Sequence, residues 1–146
     1  MATGNETTIT NDELVQFRRA AQQYINSHAA RTPLHHALER SLKQTKAAFE
    51  DFADDENEIR VDCALIDEKT KQFILNDKEL AIDSTKAKDL QKRTRALGRK
   101  EVKVTLYQAT EVPPKIEAVW IQQFAGLVID MDYVSPEEEL AELEEK

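Results

Sequence analysis

The chain has 146 residues, long enough for one domain with a real core, and it is 40% hydrophobic and 33% charged, with a formal net charge of −8. Three scattered glycines exclude a glycine-rich phosphate cradle, and a single cysteine excludes an intramolecular disulfide. The N-terminus MATGNETTIT lacks the basic and apolar regions of a secretory signal, and no apolar run approaches the ~18 residues of a membrane span, so the expectation is a cytoplasmic protein of a reducing compartment with no membrane contact.

Residues 1–8 are polar and read as a disordered N-terminus. Thr10 and Glu13 then form a T-x-x-E capping box, with Ile9 and Leu14 placed as its hydrophobic staple. The helix that follows, to about His28, carries Leu14, Phe17, Ala21, Tyr24 and His28 on one stripe. A short gap leads to a second start signal, Thr32 as N-cap and Pro33 at the first helical position. This helix repeats the same period with Leu38, Leu42, Thr45, Phe49 and Phe52, and the acidic stretch Asp54, Asp55, Glu56 ends it. Two helices joined so closely become antiparallel neighbours. The expected seam of the hairpin is Leu14, Phe17 and Tyr24 against Leu38, Leu42, Phe49 and Phe52.

Beyond the hairpin, Ile59, Val61, Cys63 and Leu65 alternate with mostly polar neighbours and predict a half-buried strand. Residues 67–71 form a polar loop, and Gln72–Leu75 a second short strand, completing a hairpin with a loop of four or five residues. Ser84 caps a third helix that runs to about Leu97, with Gly98 as its left-handed C-cap. Val102, Val104 and Leu106 alternate as a third strand, which Pro113 and Pro114 end. A fourth helix starts at one of these prolines and carries Ile116, Val119, Trp120, Phe124 and Leu127 inward. Residues 127–134 fit either an extension of that helix or a strand, with Gly126 favouring a break. Ser135, Pro136 and Glu138 then open a short acidic helix with Leu140 and Leu143 as its apolar residues. The expected architecture is α+β: a long N-terminal antiparallel helical hairpin (9–54) and a small, about three-stranded antiparallel sheet packed by one or two helices (58–134), in one domain spanning 9–134 and followed by an acidic tail, 135–146.

Charge is unevenly placed. Residues 1–55, 56–83 and 104–146 carry net −2, −4 and −8, whereas residues 84–103 carry +6. Lys86, Lys92, Arg93, Arg95, Arg99 and Lys100 are therefore the candidate contact residues. They fit a phosphate-binding face, but no aromatic side chains are interleaved for stacking and the chain as a whole repels polyanions. The competing reading is complementarity with the acidic run at 54–58, the tail at 137–145, or a protein partner.

Other constellations favour structural roles. His28, His35 and His36 do not converge, because adjacent helical residues diverge by ~100°, so no metal site is expected. Cys63 falls on an apolar strand face among acidic neighbours, which suits a small hydrophobe better than a thiolate nucleophile. Asp130 and Asp132 share one face if their segment is a strand, and solvated polar positions explain them. Nothing matches a P-loop, a dinucleotide fingerprint or a nucleophile elbow, so no catalytic residue and no cofactor is expected.

The order of elements, a capped helical hairpin, a strand pair, a charged helix, a strand ending in LYQATEVP and the amphipathic IEAVWIQQFAGLVID, resembles a family of small, uncharacterised bacteriophage proteins encoded among virion and tail-assembly genes. The resemblance covers roughly residues 8–130 and implies a non-enzymatic accessory or structural role in the host cytoplasm or the virion, with a protein partner or self-association. That family has no established catalytic residues to transfer. Two alternatives stand beside it: an acidic inhibitor of a host defence enzyme acting by protein–protein binding, and a nucleic-acid-binding module using residues 86–103.

Overall fold

A computed structural model describes residues 4–28 and 31–130. The fold is α+β. Strand β1 (Gly4–Thr10) leads directly into helix α1 (Asn11–Ser27), and helix α2 (Pro33–Asp62) follows. An irregular β-arm contains β2 (Leu75–Asn76) and β3 (Glu79–Leu80). A short 3-10 turn (Ser84–Lys86) opens helix α3 (Ala87–Arg99), then come strand β4 (Glu101–Tyr107) and helix α4 (Ala118–Phe124).

The two expected helix starts are observed. Glu13 N–H donates to Thr10 Oγ1 at 3.2 Å, and Thr10 N–H donates to the Glu13 carboxylate at 3.1 Å, closing the capping box. Ile9 and Leu14, the staple pair, are both buried. At α2, His35 N–H donates to Thr32 Oγ1 at 3.3 Å and Pro33 holds the first position. Arg18 of α1 reaches the middle of α2, where Nη1 donates to the Leu42 carbonyl and to Thr45 Oγ1, both at 2.7 Å. Tyr24, further along α1, bonds Thr32 at the start of α2, so the two helices run antiparallel where they pack. Burial lowers the Arg18 pKa, with Glu50 opposing, and burial raises that of Tyr24, offset by the Thr32 bond.

Of the expected seam, Leu14, Phe17, Tyr24 and Leu38 are fully buried, Leu42 and Phe49 border the core, and Phe52 is half-buried. The core extends beyond the hairpin. Val104 and Leu106 of β4, Phe124 of α4, and Val128 and Ile129 complete it. Phe17, Tyr24, Trp120 and Phe124 interlock mainly edge to face, with Trp120 and Phe124 stacked.

Several expectations are corrected. The polar N-terminus is not disordered over its described part: Gly4–Thr10 pair antiparallel with Glu101–Tyr107, from Gly4↔Tyr107 to Thr10↔Glu101. Only Ile9 of this strand is buried, so it carries no alternating signal, and the partner ladder stabilises it. The second helix does not stop at Asp54–Glu56 but runs to Asp62, and the strand expected from Ile59 is its last turn. Ile59 and Cys63, four apart, are both buried at that end, a helical spacing that outweighs the apparent alternation. Because the helix continues, the acidic run lies inside it on an exposed face, away from the unfavourable C-terminal dipole.

There is no three-stranded sheet among the described residues but two antiparallel pairs, β1–β4 and β2–β3. Gly98 lies inside α3, with Lys100 as C-cap, and a Cβ there would collide with the Asp12 carboxylate of α1. It is thus a close-approach glycine rather than a left-handed cap. Helix α4 begins at Ala118, later than expected, with Glu117 before it in an extended conformation. Gly126, at φ 78°, ends that region as expected, and the Val128 carbonyl accepts a hydrogen bond from Ala109 N–H. Residues 131–134 and the tail 135–146 lie outside the described residues.

Candidate partner-binding surface

The β-arm spans residues 64–83. Its three extended segments bond to one another in a ring: Leu65 N–H to the Ala81 carbonyl, Ala81 N–H to Ile74, and Ile74 N–H to Leu65, at 2.8–2.9 Å. An antiparallel Ile66↔Phe73 bridge spans the polar loop, a remnant of the expected hairpin, whose first strand is otherwise replaced by the end of α2. Asp67 organises that loop by accepting from Lys69 N–H at 2.8 Å, and Lys71 adopts a positive φ of 60°. The tip at Asp77-Lys78 has both residues at positive φ, 55° and 74°, the geometry of a two-residue primed hairpin turn.

This ring uses backbone bonds for its cohesion and leaves side chains outside. Leu65, Ile66, Phe73, Ile74 and Leu75 are 37%, 48%, 45%, 39% and 61% exposed. Together they present on the order of 400 Å² of apolar surface, divided between the two faces of the arm because successive residues of an extended segment alternate. Alternation alone points to Leu65 as a half-buried residue. The signal that marks the open arm is composition, since five large apolar residues share a short arm that has no helix to cover both faces.

The six basic candidates do not form one site. Lys86 Nζ donates to the Asp62 carbonyl at 3.2 Å, and Arg93 pairs with the Asp62 carboxylate at 3.0 Å and approaches Asp89 at 3.9 Å. The Asp62 bond raises the Arg93 pKa further. These two residues tie α3 to the end of α2. Lys100 turns to another hollow, shared with Lys103 and with Asp51, Asp54 and Asp55 of α2. Lys92, Arg95 and Arg99 line the exposed face of α3 together with Lys88, a residue outside the expected set. Among the described residues none of these four joins an ion pair.

Arg95 and Gln91 also border a groove of about 860 Å³ between α3, the arm and the second half of α2. Leu80, Ile82 and Leu90 supply its apolar lining, together with the cations Arg60, Lys78 and Arg95 and the carboxylates Asp12 and Glu79.

The remaining candidates have structural surroundings. His28 stacks on Tyr24 at 4.0 Å, His35 is buried with Nδ1 3.3 Å from Glu39, and His36 is exposed. No group of three or more potential metal ligands assembles among the described residues. Cys63 is buried at the end of α2. Asp130 is exposed, and Asp132 lies outside the described residues. Among the described residues no helix is long and apolar enough to cross a membrane.

Comparison with protein-family models, curated proteins and solved structures finds no match. The described surface combines an apolar arm with a groove lined by both cations and carboxylates.

Proposed function

We propose that this is a non-catalytic accessory or virion and tail-assembly protein of the phage type, acting in the host cytoplasm or the virion, and that copies of it join through the β-arm. The observation that carries this reading is the exposed row Leu65, Ile66, Phe73, Ile74 and Leu75. Charge favours a second copy as its partner. The whole chain is at −8, so two copies repel, yet residues 64–83 carry only −2, with Lys69, Lys71 and Lys78 interspersed among five acids. The arm is therefore a face on which two acidic chains approach with little repulsion.

The test is the mass of the full chain in solution, by size exclusion with light scattering, against a Leu75→Asp variant checked for folding by circular dichroism. A discrete oligomer that falls to a single chain on substitution is expected. A wild-type chain that stays monomeric at high concentration, or an oligomer unchanged by Leu75→Asp, overturns the reading.

A further inference from the structure

We infer that the cationic face of α3 in one copy docks on the acidic stripe of α2 in a second copy of this chain. The contact uses surfaces apart from the β-arm, and it is testable with the arm disabled, so its failure and that of the arm reading are distinguishable.

Helix α3 carries Lys88, Lys92, Arg95 and Arg99 at spacings of four, three and four, which puts all of them on one face. They are exposed, and the shallow hollow they line adds only Gln91 and Ala96, with no carboxylate and no residue from another element. The face thus looks away from the rest of the molecule. Helix α2 carries the complement. Asp51, Asp55 and Glu58 stand at spacings of four and three, with Asp54 beside them, and all are exposed. Among the described residues none of these cations and carboxylates joins an ion pair. Like charges four apart on a helix repel, so each stripe lacks in its own molecule the counter-charge that would relieve it. Lys100 and Lys103 share a hollow with Asp51, Asp54 and Asp55 and offset part of their charge, while Glu58 lies outside that hollow.

The two stripes have the same rhythm. Lys88 to Arg95 and Asp51 to Glu58 each cover about 10 Å of helix axis. Side by side, three cations meet three carboxylates at matching intervals. Two chains at −8 repel at long range, but at about 0.1 M salt the Debye length is ~10 Å. Facing side chains then still attract, while most of the charge elsewhere on both chains is screened. A nucleic acid would meet the α3 face alone, would find no aromatic side chain in that lining to stack on, and would leave the α2 stripe uncovered. A second copy satisfies both stripes. Exposed ion pairs are individually weak, so the contact forms in concentrated protein or between copies already held close.

The experiment records backbone amide spectra of the full chain carrying Leu75→Asp, from micromolar to millimolar protein. At about 0.1 M salt, shifts that grow with concentration are expected along both Lys88–Arg99 and Asp51–Glu58, and they should vanish at about 1 M salt, where the Debye length is ~3 Å. Lys92→Glu with Arg95→Glu should remove both sets of shifts, as should Asp55→Lys with Glu58→Lys, and circular dichroism checks each fold. The milder Lys92→Gln with Arg95→Gln should weaken both sets. Mixing the isotope-labelled α3-reversed chain with the unlabelled α2-reversed chain should restore the shifts along α3, because the facing charges are again opposite. Spectra independent of concentration or insensitive to salt, shifts centred elsewhere, shifts on one stripe alone, or a mixture that restores nothing overturn the proposal. A short single-stranded oligonucleotide that shifts the α3 face at concentrations where a second copy does not assigns that face to nucleic acid and overturns it too.

Discussion

Proline at position 58 tests whether α2 extends through the region whose sequence alternates like a strand. Glu58 is exposed on α2, four residues before its end. A proline there removes one backbone hydrogen bond and drives its ring against the carbonyl of residue 54, a cost of about 3 kcal/mol or more in a helix interior. For a chain of this size that corresponds to a loss of roughly 6–12 °C in Tm. The last turn of α2 also roots the arm, since Asp83 N–H donates to the Cys63 carbonyl at 2.9 Å. Glu58→Pro should therefore increase amide exchange at Leu65, Ile74 and Ala81 in step with the loss of stability. Glu58→Ala is the control, because a surface change that keeps the helix stays within about 0.5 kcal/mol. Thermal and urea unfolding followed by circular dichroism give the difference. A loss below about 1 kcal/mol for the proline variant would refute a continuous helix here and restore the strand.

Gly98→Ala brings two opposed effects. Alanine gains about 1 kcal/mol of helix propensity, but its Cβ falls on the Asp12 carboxylate, so the single variant should show little net change in unfolding free energy. In an Asp12→Ala background the same substitution should recover about 1 kcal/mol, and equal effects in both backgrounds would remove the close-approach role of this glycine. Asp83 accepts from the Thr85 hydroxyl at 2.7 Å and its N–H at 3.0 Å, which lowers the carboxyl pKa. A carboxyl depressed in the folded state stabilises above its unfolded value, and the contribution disappears as pH falls through the folded value. Asp83→Ala should therefore flatten the acid limb of the stability profile below about pH 4. A carboxyl titration by NMR with its midpoint at or above the usual aspartate value would contradict this.

Where the determinants are local, the chain announces its own structure. The capping box at Thr10 and Glu13, the Thr32-Pro33 start and the periodic Leu14, Phe17, Tyr24 and Leu38 each work within about one helical turn, and the structure places them as their spacing implies. The alternation of Val102, Val104 and Leu106 likewise marks β4. Tertiary structure decided the elements whose partners are distant. Gly4–Thr8 become a strand because Thr105, Val104 and their neighbours, about a hundred residues on, supply the ladder. The end of α2 is set by the burial of Ile59 and Cys63, which no local pattern separates from alternation. The basic segment, continuous in sequence, divides among an ion-paired side, an exposed side and the end of α3, because a helix turns successive residues by ~100°. The apolar arm remains open for the same non-local reason. Its backbone bonds close on themselves, and no other described element is positioned to cover Phe73, Ile74 and Leu75.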